Sequence, residues 1–214
     1  MRRLIAFLRV CLLPGVLLAF GGCSTVQEFR VTPQRVPAPF VARIPLAVGV
    51  YYPPALRSAR PMMRIDAGGV VFERYFLIGE ASVATLDAAM RGLFERVVEI
   101  RQWPPGKIQP DVAGILAPHF DGIHVETNVY GICTGAYLMR YRIEVYSPTG
   151  ERLTGWAFKG QSCEGPELNL SGRDETFFAE AMRFAAADLI ASFFRRPEAR
   201  KWLRDNGVAP EEPR

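Results

Sequence analysis

The stretch GAYLMRYRIEVYSPTGERLTGWAFKG, residues 135–160, decides the fold because it predicts a β-hairpin. In its first half, apolar side chains alternate with mostly charged ones, which is typical of a strand with one buried face and one solvated face. The buried face would carry Tyr137, Met139, Tyr141, Ile143 and Val145. Residues 147–150, Ser-Pro-Thr-Gly, have the composition of a type I turn. The chain is therefore expected to reverse there into a second antiparallel strand.

The turn also predicts a register for the hairpin. Tyr146 is expected to pair with Glu151 across the turn. Counting back from that pair, Tyr141 faces Trp156 on the apolar side. Cross-strand aromatic pairs of this kind stabilise a sheet by about 0.2 to 1 kcal/mol each. Tyr137, Tyr141 and Trp156 are interpreted as core residues, and the alternative is that they line a ligand pocket between the sheet and the helices.

The other predicted elements lie on both sides of this hairpin. Further strands are expected at 44–52 and 70–78, which are rich in β-branched and aromatic residues, and strand pieces are expected between 112 and 126. Apolar residues at three and four spacing predict helices at 80–97 and about 174–194. The order predicts an α+β fold, with a mostly antiparallel sheet and two main helices packed on one face.

The N-terminus has the features of an export signal. Arg2, Arg3 and Arg9 give a positive region, and residues 4–20 are almost wholly apolar. The Phe-Gly-Gly-Cys sequence ending at Cys23 resembles the lipobox of bacterial lipoproteins. That resemblance implies cleavage after residue 22 and lipidation of Cys23. Because serine and not aspartate follows Cys23, resemblance to Gram-negative sorting signals implies an outer-membrane location, on the periplasmic face.

Four segments follow from this interpretation. Residues 1–22 are the signal peptide, and residues 23–43 are the lipidated cysteine and a proline-bearing tether. For the second half of that tether, an ordered N-terminal arm is an equal alternative, and part of the segment could pair as an edge strand. Residues 44–205 form a single α+β domain, and 206–214 are a C-terminal tail.

The charge of the chain argues against nucleic-acid binding. Loss of Arg2, Arg3 and Arg9 lowers the formal net charge from +4 to +1. Apart from Arg195-Arg196 and Arg200-Lys201, the sequence has no cluster of basic residues of the kind that contacts phosphate backbones.

No motif predicts an enzyme, a metal site or a cofactor. His119, Asp121 and His124 lie close in sequence, but their spacing matches no standard metal-ligand motif. Ser82 is interpreted as a first-turn helix residue and not as a nucleophile. Nucleophile-elbow, phosphate-loop and zinc-helix motifs are absent from the sequence.

Two cysteines remain once Cys11 leaves with the signal peptide and Cys23 is lipidated. In the predicted register Cys133 lies opposite residue 164, so a one-residue bulge at a nearby glycine would bring it to face Cys163. Exported thiols oxidise. The sequence therefore predicts a Cys133–Cys163 disulfide, and two buried free thiols are the alternative.

The pattern VGVYY, GEASVATLDAAMRGLFERVVEI, YRIEVYSPTGERLTGWAFKG and an alanine-rich last helix resembles a family of small envelope lipoproteins. These share the fold of the TolB amino-terminal domain and include the lipoprotein activators of penicillin-binding proteins and the YajG-type lipoproteins. The resemblance covers most of residues 44–195. It implies a non-catalytic module that binds another envelope component.

Two functions remain open at this point. The first is an outer-membrane lipoprotein that docks an envelope protein partner in an assembly or transport system. Its candidate contacts are Arg140 and Arg142, with Glu144, the turn 147–150 and the loop 56–69 also considered. The second is a periplasmic lipoprotein that binds a lipid, a glycan or a small molecule.

Overall fold

The computed structural model describes residues 25–36, 42–67, 70–105, 111–129, 133–164 and 174–209. The predicted signal peptide 1–22 and the lipidation residue Cys23 lie outside the described residues. The predicted tail 206–214 is described only as far as residue 209.

The described chain divides into two compact units. The smaller unit contains residues 25–28 and Met62–Tyr75, and the larger unit contains residues 29–61 and 76–209 within the described ranges. The segment Met62–Tyr75 lies inside the predicted domain 44–205. In the structure it groups with residues 25–28, which precede that domain.

The smaller unit is built on a three-stranded sheet in the order β1-β4-β3. The strands of this sheet are β1 (Thr25–Arg30), β3 (Met62–Ala67) and β4 (Val70–Leu77). The last two residues of β1 and of β4 are counted in the larger unit. Strand β3 corrects the expectation of a loop over 56–69, and β1 shows that the predicted tether begins with a strand. Thr25–Arg30 lacks alternation, whereas in Met62–Ala67 the apolar Met63, Ile65 and Ala67 alternate with Arg64 and Asp66.

The larger unit contains a five-stranded sheet in the order β5-β2-β6-β7-β8. Its strands are β2 (Ile44–Tyr51), β5 (Phe94–Ile100), β6 (Ile115–Val129), β7 (Cys133–Tyr146) and β8 (Arg152–Glu164). Strands β6, β7 and β8 pair antiparallel, but β2 pairs parallel with both β5 and β6. The sheet is mixed, so the prediction of a mostly antiparallel sheet is only partly right.

Four helices lie in the described residues, all in the larger unit. They are α1 (Pro54–Arg57), α2 (Gly79–Leu93), α3 (Asp174–Arg195) and α4 (Pro197–Asp205). Helix α2 lies in the connection that carries the chain from β2 to its parallel neighbour β5, as parallel pairing requires. It ends four residues earlier than predicted, because the Phe94–Ile100 segment joins the sheet.

The hairpin of β7 and β8 is confirmed, but its register differs from the prediction. Tyr141 faces Phe158, and Ile143 faces Trp156. One residue of the shift arises at the turn, where Tyr146 pairs with Arg152 and not with Glu151. A second arises at a bulge, because Val145 pairs with Thr154 and Leu153 is left unpaired. The resulting shift is two residues, so each side chain stays on its predicted face.

Helices α2 and α3 both contact the apolar face of β7. The hydroxyl of Tyr141 lies 3.0 Å from Ser82 Oγ of α2, and Ser82 Oγ lies 3.3 Å from the sulfur of Met182 in α3. Gly160 of β8 permits the close approach of α3, because a Cβ there would lie 1.9 Å from the carbonyl oxygen of Ala181. The main core lies between this face and the two helices.

A smaller apolar cluster covers part of the opposite face of the sheet. The ring of Trp103, in the segment after β5, lies 5.2 Å from Tyr51 and 4.5 Å from Tyr146. These rings pack against the buried side chains Ile100, Val112 and Ile115. On the rest of this face, from Tyr146 toward the start of β7, strands β6, β7 and β8 carry exposed charged residues. We call this part the open face.

Candidate functional site

The open face presents alternate residues of β7 away from the helices. Arg140 and Arg142 are exposed, and Glu144 is partly buried beside them. Both predicted contact arginines therefore lie on an accessible surface. Their surroundings differ, since Arg142 belongs to an ion-pair network and Arg140 has no ion pair with any residue that the structure describes.

Glu144 is the centre of that network. Its Oε2 accepts a hydrogen bond of 2.6 Å from the hydroxyl of Tyr146 and lies 3.2 Å from Nε2 of His119. Its Oε1 lies 3.5 Å from Nε of Arg152 and 3.8 Å from Nε of Arg142. Strands β6, β7 and β8 each contribute to this arrangement, because the antiparallel register brings their side chains side by side.

The network changes the protonation of its members. Burial alone would raise the pKa of Glu144, but the hydrogen bond from Tyr146 and the nearby positive charges outweigh it and lower that pKa. Burial lowers the pKa of His119, although the charge of Glu144 opposes the effect. Burial and the hydrogen bond to Glu144 raise the pKa of Tyr146 to about 12. At neutral pH the site therefore holds an ionised Glu144 beside a neutral His119.

The structure brings only two of the residues His119, Asp121 and His124 into one network. His119 contacts Glu144, and Asp121 forms an ion pair with Arg142, which also lies beside Glu144. His124 pairs across the ladder with Leu138, further along the strand. No group of three or more possible metal-ligating side chains occurs in the part of the chain that the structure describes.

Arg140 lies in a cleft of about 520 Å³ at the β8 side of the open face. We call it the basic cleft. Besides Arg140 it is lined by Lys159 of β8 and by Arg195 and Arg196 at the end of α3, together with the carboxylates of Asp121 and Asp188. Four positive charges against two negative charges leave an excess of two. Sequence reasoning missed Lys159, because the predicted register places Ala157 and not Lys159 opposite Arg140.

A second cleft, of about 480 Å³, lies between α2 and the loop after β2. Tyr52 donates a 3.1 Å hydrogen bond to Asp87, and Nε of Arg91 lies 2.6 Å from the same carboxylate. Arg57 donates a 3.0 Å hydrogen bond to Glu99. Most of its charged side chains are thus paired with one another, whereas the exposed Glu80 forms an ion pair of 3.9 Å with Arg30, outside the cleft lining. The burial of Tyr52, reinforced by Asp87, raises the pKa of its hydroxyl.

The aromatic residues proposed as core or pocket residues are part of the core. Tyr137, Tyr141 and Trp156 are 5%, 1% and 7% exposed. Trp156 also donates a 2.6 Å hydrogen bond to the Ser192 hydroxyl of α3. Ser82 is buried against Tyr141, which fits the structural role expected from the sequence.

The described residues test only part of the cysteine predictions. Cys163 lies in β8 beside Glu164 and faces Ala136 of β7. Its sulfur is in a disulfide bond. The side chain of Cys133 is outside the described residues, so the Cys133–Cys163 pairing stays a prediction.

The fold and the site together define an α+β protein whose mixed sheet has one face packed on helices and one charged face open. None of the helices in the described ranges is long and apolar enough to cross a membrane. No protein-family model matches the chain, and no curated protein matches it.

Two solved structures match this chain over most of their length. One is the crystal structure of a Xanthomonas campestris protein of family DUF330, with a TM-score of 0.46, 14% identity, and coverage of 76% of this chain and 91% of that one. The other is a minor lipoprotein from Acinetobacter baumannii, with a TM-score of 0.40, 8% identity, and coverage of 80% and 100% respectively. At TM-scores below 0.5, neither likeness supports an argument about family or function.

Proposed function

We propose that this chain is a lipid-anchored lipoprotein on the periplasmic face of the outer membrane, where its folded body docks an envelope protein partner without catalysis. The observation that carries the proposal is the contrast between a packed interior and an open, charged sheet face. A ligand carrier would need an apolar cavity with a few convergent polar groups. The space between this sheet and its helices is instead filled by aromatic side chains such as Tyr141 and Trp156.

The open face has the properties that a docking surface needs. Arg142, Glu144, His119 and Arg152 are held by mutual contacts of 3.2 to 3.8 Å around one carboxylate. Side chains that are already ordered lose less conformational freedom when a partner binds. Charges arranged in a fixed pattern also select for a complementary surface.

The anchor in the proposal is Cys23. Each buried methylene of an acyl chain contributes about 0.8 kcal/mol to membrane binding, so the several chains of a bacterial lipoprotein anchor give stable attachment. Attachment confines the folded body to the membrane surface and raises the local concentration of any partner held there.

Crosslinking in intact cells tests the docking proposal. A photoreactive amino acid replaces Arg142 on the open face, and the matched control places it at Arg204, an exposed arginine of α4. We expect one envelope protein to be captured from position 142 in high yield, not from position 204, and to be lost in the Cys23→Ala variant. Equal capture from both positions, or capture of no protein, would contradict docking through the open face.

The anchor and the disulfide are tested by intact mass. We expect a mature chain that lacks residues 1–22 and carries acyl chains, and two thiols that react with an alkylating reagent only after reduction. Retention of residues 1–22 would remove the lipoprotein interpretation. Two thiols that react before reduction would remove the Cys133–Cys163 pairing.

A further inference from the structure

The basic cleft places positively charged side chains close together, which is electrostatically unfavourable. Arg140 and Lys159 are directly opposite each other on β7 and β8. Like charges at directly opposite positions of an antiparallel pair destabilise a sheet. Arg196, from the junction of α3 and α4, lines the same cleft and adds a third positive charge.

The carboxylates of the cleft do not neutralise these three cations. Asp121 is paired with Arg142, outside the cleft lining. Asp188 accepts a 3.0 Å hydrogen bond from the backbone N–H of Lys159 and another of 3.0 Å from the guanidinium of Arg195. Among the described residues, the side chains of Arg140, Lys159 and Arg196 make no ion pair.

We propose that the basic cleft binds a phosphate group. An oxyanion placed between Arg140 and Lys159 would relieve their repulsion. These three cations are enough to offset the charge of a phosphate monoester, which is about −1.5 to −2 at neutral pH. The cations come from β7, β8 and the end of α3, and guanidinium groups donate in a planar fork that fits phosphate oxygens. A tetrahedral phosphate accepts from several directions, whereas a carboxylate accepts mainly in one plane.

Titration of the purified protein in nonionic micelles tests this site. The probes are inorganic phosphate, glycerol 3-phosphate, and phosphatidic acid held in the micelle, and the readout is the movement of backbone amide signals. We expect saturable shifts centred on Arg140, Lys159 and Arg196. Binding should weaken about tenfold or more in Arg140→Ala and in Lys159→Ala, since a hydrogen bond between charged groups is lost. The matched control Arg204→Ala, an exposed arginine of α4, should change affinity less than twofold.

The probes also identify the source of the phosphate. If phosphatidic acid in the micelle shifts the Lys159 amide as inorganic phosphate does, the ligand is a lipid headgroup; if only the soluble probes do so, it is a small phosphorylated molecule. Either result supports the site.

A second measurement keeps the test independent of folding defects. Phosphate should raise the melting temperature of the native protein, because a ligand that binds only the folded state stabilises it. The same concentration should raise the melting temperature of Arg140→Ala by a clearly smaller amount. The proposal is overturned by shifts that do not saturate, or by binding that Arg140→Ala and Lys159→Ala leave intact. Neither result depends on the proposed docking partner, since no partner is present.

Discussion

Two tyrosines of β7, on opposite faces of the strand, show how differently the two faces are built. Tyr141 is 1% exposed, and its hydroxyl meets the neutral hydroxyl of Ser82 at 3.0 Å. Tyr146 donates instead to the ionised Glu144, within reach of two arginines and a histidine. The covered face depends on packing, with single neutral polar contacts, whereas the open face depends on charge. Substitutions on the first are therefore expected to change stability, and those on the second to change electrostatics and binding.

The largest effect is expected where α3 lies against β8. In Gly160→Ala, the new Cβ would lie 1.9 Å from the carbonyl oxygen of Ala181 and 2.2 Å from the nitrogen of Ala185. The helix must move, and overpacking of this kind costs about 3 kcal/mol of the free energy of unfolding. Urea denaturation measures the loss.

The matched control for that change is Ala157→Val, on the open face of the same strand. It adds two methyl groups at an exposed position and should change the free energy of unfolding by less than about 0.5 kcal/mol. If both variants lowered the free energy of unfolding equally, the covered face and the open face would not differ in how tightly they are packed.

A smaller difference is expected between the two tyrosines. Tyr141→Phe removes a buried hydroxyl and leaves Ser82 without that partner, so the free energy of unfolding should fall by about 1 kcal/mol. Tyr146→Phe should cost less, because water can replace its hydroxyl at the open face. The double variant Ser82→Ala with Tyr141→Phe should recover most of the loss, since both polar partners are then gone. A double variant whose loss equals or exceeds the sum of the single losses would contradict the buried pair.

The pH dependence of stability should come from the open face. Both His119 and Glu144 have lowered pKa values in the folded state, so the unfolded chain binds more protons than the folded chain as the pH falls. Stability should therefore decrease below pH 6.5, the ordinary pKa of His119, and again below pH 4.5, that of Glu144. Urea midpoints measured from pH 7 to pH 4 check this. His119→Gln should flatten the first decrease, and an unchanged slope would show that His119 does not cause it.

The smallest expected effect concerns the two arginines of the open face, whose removal should change the free energy of unfolding in opposite directions. Arg142→Ala breaks the ion pair with Asp121 and should lower the free energy of unfolding by about 0.5 kcal/mol. Arg140→Ala removes a charge opposite Lys159 and should raise the free energy of unfolding by about 0.2 to 0.5 kcal/mol. Losses of equal size from both variants would argue against repulsion between Arg140 and Lys159.

The sequence predicts well those features that rest on local periodicity. The apolar spacing of α3 predicts a helix at 174–194, and the structure has Asp174–Arg195. The alternation in β7 correctly assigns each side chain to its face. Strand β3 was missed because Met62–Ala67 is short and lies between Pro61 and the Gly68-Gly69 pair, residues that are typical of loops.

The sequence does not predict contacts between distant segments. The parallel pairing of β5 with β2 depends on the path of the chain between them, which no local pattern encodes. The basic cleft was missed for two reasons. One is the two-residue shift that arises at the turn and at the bulge of Leu153 and places Lys159 opposite Arg140. The other is that Asp188 contacts a backbone N–H 29 residues away.

The contact of Asp188 with Lys159 also affects the exposed edge of strand β8. Strand β8 is the last in its sheet, and a terminal strand offers backbone donors and acceptors on which another chain can build a continuous intermolecular sheet. The carboxylate of Asp188 occupies the donor at Lys159, near the middle of the strand. An incoming strand would have to displace this carboxylate to pair through that position. The same side chain that lines the basic cleft thus makes this edge a poorer template for an added strand at that one position.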